Sequence, residues 1–190
     1  MADSTSHVVV AVVLSVRERR LEARVARVVR APAESLEAAF ERAVDTSGLA
    51  HVEQLETRIL RDGTLATAYL GLARPGATVG GHAPSGSDER ELAAAAQARL
   101  RAKLSYTNVG FALAPEAFTI SELRDIYVAG LGHDVSATNL QRVLLRRGVL
   151  ERADGRREPG RSGGRPASLF RFASSRLTVT DEFAALRPRR

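Results

Sequence analysis

Residues 118–147 read FTISELRDIYVAGLGHDVSATNLQRVLLRR. Thr119 and Glu122 have the spacing of a capping box, in which each residue's side chain bonds the other's backbone N–H at the start of a helix. This pattern predicts a helix over residues 120–129 that stops at a following glycine. Its apolar positions recur at helical spacing, which indicates that one face is buried. The residues on that face are Leu123, Ile126 and Tyr127.

A second helix is predicted directly after the first. Ser136 is a favoured N-cap residue, and Gly148 is a favoured stop, so the helix should cover residues 137–147. Two helices joined by a short glycine-containing turn predict a helix-turn-helix. The inward positions are Ala137, Leu140, Val143 and Leu144, which leaves an outer face that is polar and basic, as a helix in a DNA major groove requires. The residues of that outer face are Thr138, Asn139, Arg142 and Arg146.

A wing is predicted after the second helix. Residues 149–152 and 168–172 have the composition of two strands, and residues 154–167 between them are rich in glycine, proline and arginine. A hairpin of this kind would present its guanidinium groups to the phosphate backbone or to a minor groove. The arginines of the loop are Arg156, Arg157, Arg161 and Arg165. Together with the outer helix face and the cap residues Thr119 and Ser136, they form the predicted DNA-binding set.

The charge of the chain is divided unevenly. Residues 1–98 hold 11 Lys and Arg against 13 Asp and Glu, whereas residues 99–190 hold 17 against 9. Sixteen of those 17 bases are arginine, which binds phosphate and guanine edges in a bidentate manner. The asymmetry favours a C-terminal half that faces nucleic acid. A general preference for arginine over lysine in the genome is an alternative explanation of the composition alone.

Several classes of protein are disfavoured by what the sequence lacks. There is no cysteine, which excludes disulfides and thiolate zinc sites, and the four histidines are not spaced as metal ligands. The longest apolar run, Val8 to Leu14, is too short to span a membrane and has no basic segment before it. We therefore expect no membrane association, no signal peptide and a cytoplasmic location.

The N-terminal half has a mixed pattern of strands and helix. Its predicted elements are strands over 7–16 and 21–29, a helix over 36–46 that ends at Gly48, and strands over 52–60 and 64–72 around the turn Asp62-Gly63. Residues 74–87 are rich in Gly, Pro and Ser and are interpreted as a flexible linker between domains. Residues 88–104 form a strong helix, with acids in its first turn and bases in its last. The fold class expected is therefore α+β.

Four short motifs carry a resemblance to a known family. They are KLSYTN (103–108), FTISEL (118–123) with Tyr127, NLQR (139–142), and GRPASLFRF (164–172). The run from Leu100 to Phe172 resembles the C-terminal half of the Nudix-related transcriptional regulators. The resemblance implies a Nudix-like sensor joined to a winged helix, a homodimer on palindromic double-stranded DNA, and an ADP-ribose-type nucleotide as effector. It also implies regulation of NAD metabolism or sugar utilisation.

This resemblance sets the expected domain organisation. Residues 1–84 would be a small, degenerate Nudix-like domain of mixed sheet and helices that senses the effector and contributes to dimerisation. Residues 88–105 would be a connecting helix, residues 106–173 the winged helix-turn-helix, and residues 174–190 a C-terminal tail. The chain would thus act as a transcriptional regulator, most simply a repressor.

The catalytic signature of Nudix enzymes is largely missing. When the family's box is aligned on Gly48-Leu49, Asp45 is the only carboxylate that remains at a metal-binding position. One carboxylate does not hold a hard divalent cation together with an activated water. We therefore expect no catalytic residues, no metal site and no resident cofactor. Glu34, Glu37 and Glu41 would be substitute ligands on one helix face, although such glutamates usually face solvent.

Two other functions stay open at this point. One is a nucleotide diphosphate hydrolase with a fused basic domain, which would use those substitute carboxylates with magnesium. The other is a protein-interaction module in which the helix over 88–104 packs on a partner and the arginines maintain solubility.

Overall fold

A computed structural model of the chain describes residues 6–158 and 166–181. The chain divides into two compact units. The first holds the described residues up to 17 and 21–99, and the second holds residues 18–20 and those from 100 onward, so that one division falls inside helix α2 (Ser87–Tyr106). The sequence predicted a boundary in the linker of residues 74–87 and a connecting helix over residues 88–105. The structure has helix α2 over nearly the same residues as that connecting helix.

The first unit contains a four-stranded sheet. Its strands are β1 (His7–Arg17), β2 (Arg20–Val29), β3 (Leu49–Ile59) and β4 (Leu65–Ala73), in the spatial order β2-β1-β4-β3. β1 and β4 pair in parallel, whereas β3 and β4 pair antiparallel. Val8 to Leu14 are at most 2% exposed, as expected for a continuous apolar strand at the centre of a sheet. All four strands predicted for this half are confirmed, with bounds that differ by a few residues.

Helix α1 (Leu36–Ala43) packs on this sheet. Ser35 caps it by accepting a hydrogen bond from the Ala38 amide, and the Phe40 ring contacts Tyr69 of β4 with 5.2 Å between ring centroids. The sequence predicted a helix that continued to residue 46. It ends earlier because Val44 takes an extended conformation and is buried in the same apolar cluster as Phe40 and Tyr69.

The predicted flexible linker is held against β2. The His82 amide donates to the Val25 carbonyl at 2.9 Å, and the Val25 amide donates to the His82 carbonyl at 2.7 Å. Gly81, with φ of +87°, makes this approach possible, because a Cβ atom there would lie 2.5 Å from the Val25 carbonyl oxygen. The composition of residues 74–87 suggested a free segment, but the backbone of His82 pairs with the edge strand β2.

The second unit is a winged helix. It contains the end of α2, a short 3-10 turn (Val109–Ala112), α3 (Ile120–Leu131), α4 (Ala137–Arg146), β5 (Leu150–Arg157) and β6 (Ala167–Phe172). Leu100 and Leu104 of α2 are buried, as are Phe118, Leu123 and Leu144. Both predicted helices and both wing strands are present. Within residues 6–158 and 166–181, no helix combines the length and apolarity needed to cross a membrane.

Candidate nucleic-acid interface

The first helix of the helix-turn-helix is fixed by the predicted capping box. The Thr119 amide donates to Glu122 Oε2 at 2.7 Å, and the Glu122 amide donates to Thr119 Oγ1 at 3.2 Å. At its other end, Gly132 adopts a left-handed conformation with φ of +75° and donates its N–H to the Val128 carbonyl. These two ends determine where the chain turns toward α4.

Helix α4 is anchored by one apolar edge. Ser136 caps it by accepting a hydrogen bond from the Asn139 amide, and Leu140 and Leu144 are buried. The opposite face is exposed, as the periodicity predicts. Its residues are Thr138, Asn139, Arg142 and Arg146, together with the apolar Leu145.

The polar face of α4 is internally ordered. Arg142 Nη2 donates to Asn139 Oδ1 at 2.8 Å, so one side chain orients the other. Within residues 6–158 and 166–181, neither Arg142 nor Arg146 is paired with a carboxylate. The positive charge of this face is therefore available to a ligand.

The wing differs in detail from the sequence prediction. β5 continues to Arg157, past a register shift between Arg152 and Arg156 where Gly155 has φ of +86°. A glycine with positive φ lets the strand bulge and resume pairing, which the predicted loop from residue 154 did not anticipate. Arg156 and Arg157 consequently lie on a strand opposite Ser168 and Ala167.

The predicted DNA-binding residues therefore occupy different environments. Arg156 is exposed, whereas Arg157 Nη2 lies 3.5 Å from Glu122 Oε2 and 3.5 Å from the Ala117 carbonyl oxygen. Thr119 is 8% exposed, and its hydroxyl is used by the capping box. Ser136 is exposed but serves as the cap of α4. Arg161 and Arg165 lie outside the described residues.

A groove beside α4 that contains one arginine was missed by the sequence prediction. It has a volume of about 320 Å³ and lies where the start of α3, α4 and the wing meet. Arg152 of β5 lines it and is exposed, and Gln141 of α4 lines it from the other side. Strand alternation was the available signal, since Arg152 lies two residues after buried Leu150 and so points to the same side of β5.

The first unit does not assemble the substitute metal site. Glu34 precedes Ser35 and so lies outside α1, which removes it from the helix face of Glu37 and Glu41. Glu37 accepts a hydrogen bond from the Tyr69 hydroxyl at 3.4 Å, and Asp45 accepts one from the Ser47 amide at 2.9 Å. The Ser47 hydrogen bonds also lower the pKa of Asp45. Among the residues that the structure describes, no group of three or more His, Asp or Glu side chains is placed to hold a metal ion.

Comparison with known proteins finds relatives of the second unit. Residues 110–172 match a family model described as the NrtR DNA-binding winged helix domain. The ADPR responsive transcriptional repressor NtrR of Acinetobacter baylyi is 38% identical over 86 residues, which are 45% of this chain and 33% of that protein. The match thus spans about a third of the length of this curated relative.

Two solved structures share the fold of most of the chain. Shewanella oneidensis NrtR complexed with a 27mer DNA superposes with a TM-score of 0.68 at 22% identity, covering 87% of this chain and 92% of that one. A second crystal structure of Shewanella oneidensis NrtR superposes with a TM-score of 0.67 at 22% identity, covering 87% of this chain and 93% of that one. These structures confirm the α+β fold with a winged helix. The family model and the Acinetobacter relative confirm the resemblance of the C-terminal half to this group of regulators.

Proposed function

We propose that this chain is a sequence-specific DNA-binding transcriptional repressor, whose first unit binds an ADP-ribose-type nucleotide as effector without hydrolysing it. The observation that carries the proposal is the exposed face of α4, where Thr138, Asn139, Arg142 and Arg146 lie together with no acidic partner for either arginine within the described ranges. We place the protein in the cytoplasm, together with its DNA target.

The chemistry of the α4 face suits a major groove. Arginine forms two hydrogen bonds with the O6 and N7 atoms of guanine, and asparagine forms two with the N6 and N7 atoms of adenine. Arg142 and Asn139 stand one helical turn apart on the exposed side, which lets both reach adjacent base pairs. Arg146, one turn further, supplies a phosphate or base contact.

The wing and the groove extend this surface. Arg156 on β5 and Arg152 in the groove are both exposed, and the groove borders α4 at Gln141. Such arginines bind backbone phosphates, which sets the register of the protein on the duplex without reading sequence. We include Arg157, Arg161 and Arg165 of the wing in the same contact set, with Thr119 and Ser136 positioning the two helices.

A homodimer is part of the proposal. One recognition helix reads only a few base pairs, and winged-helix and helix-turn-helix regulators gain affinity by binding two half-sites with two copies. Two-fold symmetry of the protein would then correspond to a palindromic operator. Sedimentation of the chain with and without operator DNA measures this directly, and a single copy per palindrome would exclude it.

The name of the Acinetobacter relative supports the effector and the sign of regulation. That protein is described as ADPR responsive and as a repressor. In this chain, Asp45 is the one carboxylate at a metal-binding position of the box, and it accepts a hydrogen bond from the Ser47 amide. The substitute carboxylate of Glu34 is held by Arg42. Binding of the nucleotide without turnover is therefore the mode we propose.

The experiment that tests DNA binding uses a duplex selected by the full chain from a random library. Binding of the wild type should weaken steeply as salt rises, because phosphate contacts release counterions. The double variant Arg142→Ala with Arg146→Ala should lose binding to the selected duplex. Arg27→Ala with Arg74→Ala removes the same charge from the first unit and should retain it. Equal behaviour of the two double variants would overturn the proposal.

A further inference from the structure

Residues 174–181 belong to the second unit and are bonded to the end of α2 and the residues after it, where the sequence predicted a tail. We call this segment the C-terminal strap. The Thr180 amide donates to the Tyr106 carbonyl at 2.7 Å, and the Thr178 amide donates to Asn108 Oδ1 at 2.8 Å. The matched family model ends at residue 172, so the strap lies beyond the segment that the family defines.

Asn108 is the buried centre of the strap's attachment. It is 3% exposed, and its side-chain amide donates to the Arg176 carbonyl at 2.9 Å and to the Ser174 carbonyl at 3.4 Å. Its backbone N–H donates to the Thr178 carbonyl at 3.2 Å, beside a bridge between Thr107 and Val179. A buried amide whose donors and acceptor are all used imposes one geometry on the groups around it. The strap is thus seated at one defined position after α2.

Arg147 joins the strap to the recognition helix. It is the residue that follows α4, and its Nη2 lies 2.6 Å from Asp181 Oδ2 of the strap. Its Nη1 donates to the Ser105 carbonyl in the last turn of α2 at 3.0 Å. The side chains of Arg147 and Asp181 are only 15% and 10% exposed. An ion pair this sheltered is screened little by salt and is costly to break on one side.

We infer that the strap is a working part of the DNA-reading unit, and that Arg147 and Asp181 are positioning residues that fix α4 against the end of α2. The inference rests on the proposed function and extends it to residues outside the winged-helix family segment. Hydrogen bonds to base edges require the recognition helix to be held at a precise position relative to the rest of the unit. Phosphate contacts carry no sequence information and tolerate a displacement of the helix. Loss of the ion pair should therefore lower discrimination between sequences more than it lowers binding to DNA in general.

The test is Asp181→Asn in the full chain. Affinity is measured for the duplex selected by the wild type and for a shuffled duplex of the same length and composition. We expect affinity for the selected duplex to fall on the order of tenfold, the size of one lost base contact, while affinity for the shuffled duplex stays unchanged. Asp154→Asn makes the same chemical change on the exposed wing and should preserve the ratio of the two affinities.

A double variant separates the proposed role from simple unfolding. Arg147→Met combined with Asp181→Leu replaces the ion pair by apolar groups, which restores stability without restoring the geometry. If the two residues act through each other, the double variant discriminates no worse than either single variant, and thermal unfolding confirms that it is folded. Additive losses in the double variant, or an unchanged ratio in Asp181→Asn, would overturn the inference. Failure of the wild type to prefer any duplex would instead remove the proposed function.

Discussion

The Arg42 guanidinium closes on both oxygens of the Glu34 carboxylate, with Nε 3.0 Å from Oε1 and Nη2 2.9 Å from Oε2. The Ala31 amide donates to the same carboxylate at 2.7 Å, and Arg42 also donates to the Val29 carbonyl at 2.8 Å. This cluster fixes the turn between β2 and α1. The hydrogen bonds to the carboxylate lower the pKa of Glu34 from 4.5 to about 2. Those from Arg42 have the larger effect, and that from Ala31 has the smaller one.

The depressed pKa of Glu34 predicts a specific dependence of stability on pH. The folded chain holds this carboxylate ionised more strongly than the unfolded chain does, so its stabilisation is complete above about pH 4.5 and is lost as the pH falls toward 2. Glu34→Gln should lower the urea midpoint at pH 7, and the gap to wild type should narrow between pH 4.5 and 2. Glu41→Gln, on the exposed side of α1, serves as the control. A gap that is constant across this pH range would contradict the assignment.

The same ion pair predicts an absence of hydrolysis. A carboxylate held by a guanidinium is poorly available to magnesium, and Asp45 alone does not form the cation cluster that diphosphate hydrolysis needs. We expect ADP-ribose to bind the full chain without magnesium-dependent release of AMP. Arg42→Ala frees the carboxylate but restores no second ligand, so it should be equally inactive. Turnover that scales with magnesium and disappears in Glu34→Gln would show that the chain is an enzyme.

The sequence predicted those parts of the fold that short-range signals determine, and it missed those that depend on distant parts of the chain. The capping box at Thr119, the cap at Ser136 and the glycine at Gly132 are short-range signals, and they set α3 and α4 nearly as predicted. The end of α1 was not predictable, because Val44 leaves the helix to fill a core that forms only in the folded sheet. The bulge at Gly155 similarly depends on the partner strand.

The part of the candidate site that lies on α4 could be predicted from the sequence. Thr138, Asn139, Arg142 and Arg146 share a face by periodicity alone, and the structure leaves all four exposed. The strap was missed because its contacts are long-range and mostly to backbone, as in the bond from Thr178 to Asn108, 70 residues away. Side-chain composition gives no signal for such pairing.

The capping box makes a prediction about stability. Thr119→Ala removes the hydroxyl that accepts from the Glu122 amide, and loss of an N-cap costs about 1 kcal/mol of the free energy of unfolding. Thr119→Ser should retain most of that stability, since it keeps the acceptor. Thr138→Ala, on the exposed face of α4, should change stability by less than about 0.5 kcal/mol. Chemical denaturation compares the three variants, and equal losses for Thr119→Ala and Thr138→Ala would argue against the cap.

The hydrogen bond between Arg142 and Asn139 predicts how the recognition helix distinguishes bases. Arg142 Nη2 donates to Asn139 Oδ1 at 2.8 Å, which holds the guanidinium plane in one orientation before DNA is bound. A guanidinium recognises guanine through two parallel hydrogen bonds, whereas an ammonium group offers a compact point charge. Arg142→Lys should therefore weaken binding to the selected duplex by about 1–3 kcal/mol.

The dependence on salt separates base reading from phosphate binding in this variant. Because lysine keeps the charge, the slope of log K against log salt should stay the same in Arg142→Lys. Asn139→Ala should lower affinity as well, and its effect should shrink in the Arg142→Lys background, since the orienting bond is already lost there. If Arg142 instead neutralises a phosphate, lysine replaces it with little loss and the two substitutions add independently. Titration of the four proteins of this cycle at two salt concentrations decides between these outcomes.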